Sequence, residues 1–232
     1  MKCLGILGGM SWESSGHYYQ LINERVKQQL GGLHSADILM RSVDFAIIEQ
    51  MQRKGDWQAA GDYLAECAAG LKLGGAEGLV IATNTMHKVA DRVEQASGLE
   101  LIHIADCTGA VLKQHGVTTV GLLGTAFTME QDFYKQRLAE KFDLEVLVPG
   151  ESERQEVHAI IYNELCLGKT LASSRQRYIE ITEALAGQGA EAVILGCTEI
   201  GMLLSDDVTD VPLVDTTQVH AQQAAEWMLG NR

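Results

Sequence analysis

Two short stretches of the sequence bring a proton-carrying side chain to the end of an apolar run. Leu79-Val80-Ile81-Ala82 leads into Thr83-Asn84-Thr85, and Val193-Ile194-Leu195-Gly196 leads into Cys197-Thr198-Glu199. Each turn reads as the junction between a buried strand and a following helix. In parallel α/β sheets ligands collect at the carboxyl ends of strands. The unpaired N–H groups and positive dipole end of a helix start suit a carboxylate, and they lower a thiol's pKa from its usual value of about 8.5. A hydroxyl and a thiol on opposite walls of one cleft supply what a two-base isomerisation needs. One group removes a proton from one face of a carbon, and the other delivers a proton to the opposite face. Taken singly, the same residues have plainer readings. Thr is a common helix cap, and a free cysteine such as Cys197 is most often a small core hydrophobe. Glu199 complements a helix dipole, and His87, one turn into its helix, reads as a packing or surface residue.

A repeat raises the pair above its parts. Gly5-Ile6-Leu7-Gly8 returns 116 residues on as Gly121-Leu122-Leu123-Gly124, and Gly75-Ala76-Glu77 returns 114 residues on as Gly189-Ala190-Glu191. Two ungapped matches in one order, at nearly one offset, indicate a duplicated α/β unit in which Thr83 and Cys197 are equivalent. Apolar runs predict strands at 3–7, 38–43, 79–82, 118–123, 144–148 and 192–195. Amphipathic stretches predict helices at about 13–30, 56–73, 85–96, 175–186 and 216–229. The expected fold is α/β, with two pseudo-symmetric halves, each a parallel sheet flanked by helices, and an active site in the cleft between them. The first half spans 1–103, the second spans 104–215, and a C-terminal helix at 216–232 packs back on the first.

Composition removes several function classes. Across 232 residues, 18 Lys and Arg stand against 31 Asp and Glu, a net charge of −13 that disfavours nucleic acid or an anionic membrane as partner. No apolar run approaches the roughly 18 residues of a membrane span, and the glycine loop beginning at Gly8 comes too early for a secretory signal. The five cysteines (Cys3, Cys67, Cys107, Cys166, Cys197) are odd in number and lack zinc or disulfide spacing. Free thiols in a cytoplasmic enzyme follow, with core packing the reading for all but Cys197. The histidines show no spacing for a metal site, and residues 5–10 read G-I-L-G-G-M, which lacks the second glycine of a dinucleotide fingerprint.

The segment from Val193 to Leu203, centred on Gly196-Cys197-Thr198-Glu199, resembles the second signature of the cofactor-independent aspartate/glutamate racemase superfamily. Leu79 to His87 is similar to its first signature, usually a Cys-Asn-Thr turn. Gly8-Gly9-Met10-Ser11 and Gly124-Thr125-Ala126-Phe127-Thr128-Met129 resemble the two glycine-rich substrate loops, so the likeness spans essentially the whole chain. The resemblance implies racemisation of an amino acid, aspartate or glutamate foremost, by proton removal and return at Cα. It implies no pyridoxal phosphate, no metal and a homodimer. Cys197 would then act on the L face and Thr83 on the D face. Thr83 stands where the family usually has a second cysteine, and an alcohol is a far weaker acid than a thiol, so turnover is expected to run faster from the L side. Asn84, Thr85 and Thr198 resemble residues that hold the α-carboxylate and α-amino groups, and Met10, Thr125 and Thr128 line the corresponding loops. Gln52, Arg53 and Lys169 stand where the family recruits side-chain contacts. Three other functions remain open: a single-cysteine decarboxylase or isomerase of the same superfamily, a broad-specificity racemase of neutral amino acids, and a non-catalytic amino-acid binding protein.

Overall fold

The computed structural model describes residues 1–230. Contacts divide the chain into two compact units, Met1–Ile104 with the chain from His220 onward, and Ala105–Val219. The first carries β1 (Leu4–Gly8), α1 (Trp12–Leu30), β2 (Ile38–Ser42), α2 (Phe45–Lys54), α3 (Trp57–Leu73), β3 (Gly78–Ile81), α4 (Ala90–Ser97) and β4 (Glu100–Leu101). Its four strands form a parallel sheet in the order β2-β1-β3-β4. The next elements are α5 (Ile104–Gln114), β5 (Thr119–Gly124), α6 (Ala126–Glu130), α7 (Asp132–Phe142), β6 (Glu145–Leu147) and α8 (Glu151–Asn163). They are followed by α9 (Ala172–Gly187), β7 (Ala192–Gly196), β8 (Leu213–Asp215) and α10 (Thr216–Leu229). The second parallel sheet runs β6-β5-β7-β8, the same order one unit later.

The repeat in the sequence is a repeat in hydrogen bonding. Leu4 pairs with Gly78 in the first sheet, and Val120 pairs with Ala192 in the second. At the entrance to the first sheet, Cys3 N–H donates to the Glu77 carboxylate (2.9 Å) and Glu77 N–H to the Cys3 carbonyl (2.9 Å). At the entrance to the second, Thr119 N–H donates to the Glu191 carboxylate (3.0 Å) and Glu191 N–H to the Thr119 carbonyl (2.9 Å). The turns before these strands share a left-handed glycine, Gly75 at φ +108° and Gly189 at φ +109°, a backbone region that disfavours any Cβ.

The central strands β1, β3 and β7 are buried along their whole length. This is why their sequences are unbroken apolar runs, the mark of strands covered on both faces. In the first unit Leu7, Leu79 and Ile81 pack with Ile48 of α2, Leu64 and Ala68 of α3 and Val93 of α4. Seven of the elements, α2, α5, α6, α7, α8, β4 and β8, lie where the apolar patterning predicted nothing. α7 and α8 carry mostly charged and polar residues, so their short buried stripes (Tyr134 and Leu138; Val157, Ile160 and Ile161) are lost among the charges. The helix predicted at 85–96 is divided into a 3-10 turn (Thr85–Val89) and α4. The predicted C-terminal helix forms as α10, and its first residues stay with the second unit, where Thr216 Oγ1 donates to the Leu195 carbonyl (2.8 Å).

Candidate functional site

In the first unit, three backbone segments meet at the carboxyl end of the sheet. After β1 the chain turns through Gly9, at φ +91°, whose missing Cβ would fall 2.1 Å from the Val43 carbonyl oxygen. Ser15, buried in the first turn of α1, accepts the Gly9 N–H (2.7 Å) and donates to the Ser11 carbonyl (3.0 Å). Ser11 caps α1 by accepting from Ser14 N–H (3.2 Å), and Ser14 Oγ donates to the Ala82 carbonyl (3.4 Å). That last bond ties the glycine loop to the residue immediately before Thr83.

Thr83 is half-buried, and its N–H donates back to the Ile81 carbonyl (2.8 Å), so the chain reverses within two residues of leaving β3. Its carbonyl is taken by the ring of His87 (2.8 Å to Nδ1), while the His87 backbone N–H goes to Asn84 (3.1 Å). The imidazole thus occupies the acceptor that an α-helix would have used, which explains the 3-10 geometry. The other ring nitrogen, Nε2, accepts from Ile104 N–H (3.2 Å). Asn84 and Thr85 follow Thr83 into the interior and are both buried.

In the second unit Cys197 ends the stretch that leaves β7, with an extended backbone (φ −148°, ψ 131°). Its thiol donates to the carboxylate of buried Glu199 at 3.0 Å. Burial pushes the thiol pKa well above its ordinary value, and the Glu199 carboxylate and the neighbouring Cys166 add to the rise. This reverses the expectation of a thiol acidified by a helix start. The element behind Cys197 is a five-residue 3-10 turn (Thr198–Met202), too short for an appreciable dipole, and a carboxylate faces the sulfur instead. Thr198, half-buried, opens that turn. On the loop after β5, Thr125 caps α6 and shares a hydrogen bond with the Thr128 hydroxyl (3.2 Å), both side chains being buried. His158 on α8 holds the same loop by accepting from Ala126 N–H (3.1 Å).

The remaining residues singled out in the sequence separate into inner and outer groups. Met10 joins the buried core cluster of the first unit. Gln52, 4 % exposed, points inward on α2 and donates to the Met86 sulfur (3.0 Å), one turn past Thr83. Arg53 is turned the other way, its side chain 72 % exposed and paired with Glu49 at 3.7 Å. Lys169 is exposed, its N–H bonded to the Glu164 carbonyl (3.0 Å). Cys67 and Cys107 are buried as core packing requires, whereas Cys3 and Cys166 are only half-buried. Sequence reasoning passed over Ser15 and His158, and read His87 only as a packing or surface residue. Of these, His87 had a readable signal, a ring donor four residues after the turn that needs one. Among the described residues, no group of three or more His, Cys, Asp or Glu is placed to hold a metal ion, and no helix is long and apolar enough to cross a membrane.

Residues 7–224 match the family model described as Asp/Glu/hydantoin racemase. A solved structure from Yersinia pestis, whose description as an Asp/Glu racemase is itself provisional, shares 53 % identity over 99 % of this chain and 100 % of that one, with a TM-score of 0.93. An aspartate racemase homologue from Pyrococcus horikoshii OT3 shares 31 % identity over 99 % and 100 %, with a TM-score of 0.85. The aspartate racemase of Picrophilus torridus, 18 % identical over 98 % and 94 % with a TM-score of 0.80, shares the fold.

Proposed function

Because the chain belongs to the Asp/Glu/hydantoin racemase family, we propose that it is a cofactor-independent racemase that moves the Cα proton of an amino acid with Cys197 and Thr83. The observation that carries this reading is the 3.0 Å bond from the Cys197 thiol to Glu199. A neutral thiol whose pKa is raised cannot take a proton from carbon unless something first removes its own, and Glu199 is placed to do so. Glu199 accepts the thiol proton and the sulfur takes the Cα proton from the L face. Thr83 then gives its hydroxyl proton to the D face while drawing a replacement from water. The proton left on Glu199 neutralises the hydroxide so formed, which restores the resting state. Asn84, Thr85 and Thr198 are the groups assigned to the substrate's carboxylate and ammonium, with Met10, Thr125 and Thr128 on the loops that line the site.

Aspartate and glutamate are the substrates the family description favours. A second reading, a broad-specificity racemase of neutral amino acids, draws support from the two faces of α2. The basic Arg53 faces solvent, and the uncharged Gln52 is the residue that faces in. A homodimer in the cytoplasm is part of the same proposal. The test is chiral chromatography after incubation with each proteinogenic L-amino acid, aspartate and glutamate first. Accumulation of a D-enantiomer supports the racemase. Accumulation from neutral residues alone selects the second reading, and no D-product from any of them overturns both.

A further inference from the structure

The two proton-carrying residues stand at equivalent places in the repeat, yet they are held in different ways. In the second unit Glu199 reaches the sulfur of Cys197 itself, and the position equivalent to His87 is Gly201. In the first unit His87 holds the backbone of Thr83 and leaves its hydroxyl to the chemistry. The ring is 3 % exposed and has one consistent tautomer, with Nδ1–H donating to the Thr83 carbonyl (2.8 Å) and Nε2 accepting from Ile104 N–H (3.2 Å). Ile104 belongs to a short segment that is itself pinned. Ile102 N–H donates to the Leu79 carbonyl of β3 (2.9 Å), and the Ile102 carbonyl accepts from His220 Nε2 (2.7 Å). His220 Nδ1 in turn accepts from Tyr18 (2.8 Å). The His87 ring meets those of His103 and His220 edge to face, at 4.6 and 5.7 Å between centroids.

From this we infer that His87 is a positioning residue for the proton step on the D face, fixing the peptide plane of Thr83 through its carbonyl. The inference rests on the reading of Thr83 as the D-face proton carrier. An alcohol is a poor proton carrier, so its step tolerates less misplacement than the thiol step. A misplacement of about 1 Å at a reacting group can cost on the order of a hundredfold in rate. The step at Cys197 does not depend on His87.

The experiment separates the two half-reactions in D2O, in the full-length protein, on the proteinogenic L-amino acid that the wild type converts fastest. Deuterium entering the L-substrate without inversion reports Cys197 alone, whereas D-product requires Thr83 as well. The readout is the ratio of exchange without inversion to inversion. His87→Gln keeps an acceptor for Ile104 N–H and loses the donor to Thr83, so the ratio should rise about tenfold or more, as it should in Thr83→Ala. His87→Asn keeps a donor near Nδ1 and should hold the ratio within about threefold of wild type. A His87→Gln ratio equal to wild type, or a His87→Asn ratio as high as that of Thr83→Ala, overturns the assignment of His87; either variant alone is decisive if the other fails to fold. A Thr83→Ala ratio equal to wild type overturns the role of Thr83, and that of His87 with it.

Discussion

Replacing Gly78 with alanine tests the register of the first sheet and the docking of α10 together. Gly78 opens β3, and a Cβ built there would lie 2.3 and 2.4 Å from Cη2 and Cζ2 of Trp227. The indole has no room to withdraw. It is 3 % exposed, its Nε1–H donates to Glu100 (2.9 Å), and the Lys2 ammonium lies 4.4 Å from its ring centroid. The equivalent position in the second sheet is Ala192, so a strand accepts a methyl at that place, and the three atoms nearest a Cβ at Gly78 all belong to the indole. Overpacking a rigid site costs about 1–3 kcal/mol, and losing a buried tryptophan about 3–5 kcal/mol. A loss of about 2–4 kcal/mol is therefore expected, a fall in Tm of roughly 4–16 °C for a chain of this size. Urea titration followed by far-UV circular dichroism measures it. In a Trp227→Leu background the same substitution should cost less than about 0.5 kcal/mol, because distant or absent partners leave no coupling. Gly78→Ala within about 0.5 kcal/mol of wild type, or an equal cost in both backgrounds, would refute the reasoning.

Three further outcomes follow from the site. Ser15→Ala strands the buried Gly9 N–H, so thermal melts should register a loss of about 1–3 kcal/mol, and steady-state assays should show a raised KM as the glycine loop loosens. Thr83→Cys should raise kcat for the D-enantiomer, with kcat/KM staying equal in the two directions because the equilibrium constant of racemisation is unity; an unchanged D-side kcat in chiral assays would count against Thr83 as proton carrier. The third concerns pH. Burial holds the His158 pKa below its ordinary value of 6.5, and the ring must stay neutral to accept from Ala126 N–H. Below 6.5 the unfolded chain binds a proton that the folded ring refuses, so this contribution to stability is complete above 6.5 and falls away on acidification. Melting curves from pH 8 down to about pH 5 should show it, and His158→Gln, which cannot titrate, should flatten the decline.

The duplicated α/β plan could be read from the sequence because both ends of the repeat are written in residues with few alternatives. Left-handed glycines sit at 75 and 189, carboxylates at 77 and 191 close the sheet entrances, and apolar runs mark strands buried on both faces. The amphipathic helices with thin apolar stripes, α7 and α8, could not be read, since a two-residue or three-residue face does not stand out from its charged neighbours. At the proposed site, Cys197 and Thr83 were singled out by residue type and by their equivalent places in the repeat. What lay hidden is their electrostatic setting. The sequence suggested a thiol acidified by a helix, whereas a five-residue turn with Glu199 against the sulfur produces the reverse. The inward amide of Gln52 and outward charge of Arg53 depend on the rotation of α2, an element that apolar patterning did not reveal.

The central claim is that Cys197 removes the Cα proton from an L-amino acid. Proton NMR of the Cα position in D2O, with wild type and Cys197→Ala side by side on the substrate of fastest turnover, tests it most directly. Wild type should lose the Cα–H signal and place deuterium in the D-product, and in Cys197→Ala the Cα–H signal should persist. Exchange that continues in Cys197→Ala, or wild type that binds the amino acid and exchanges nothing, would contradict it.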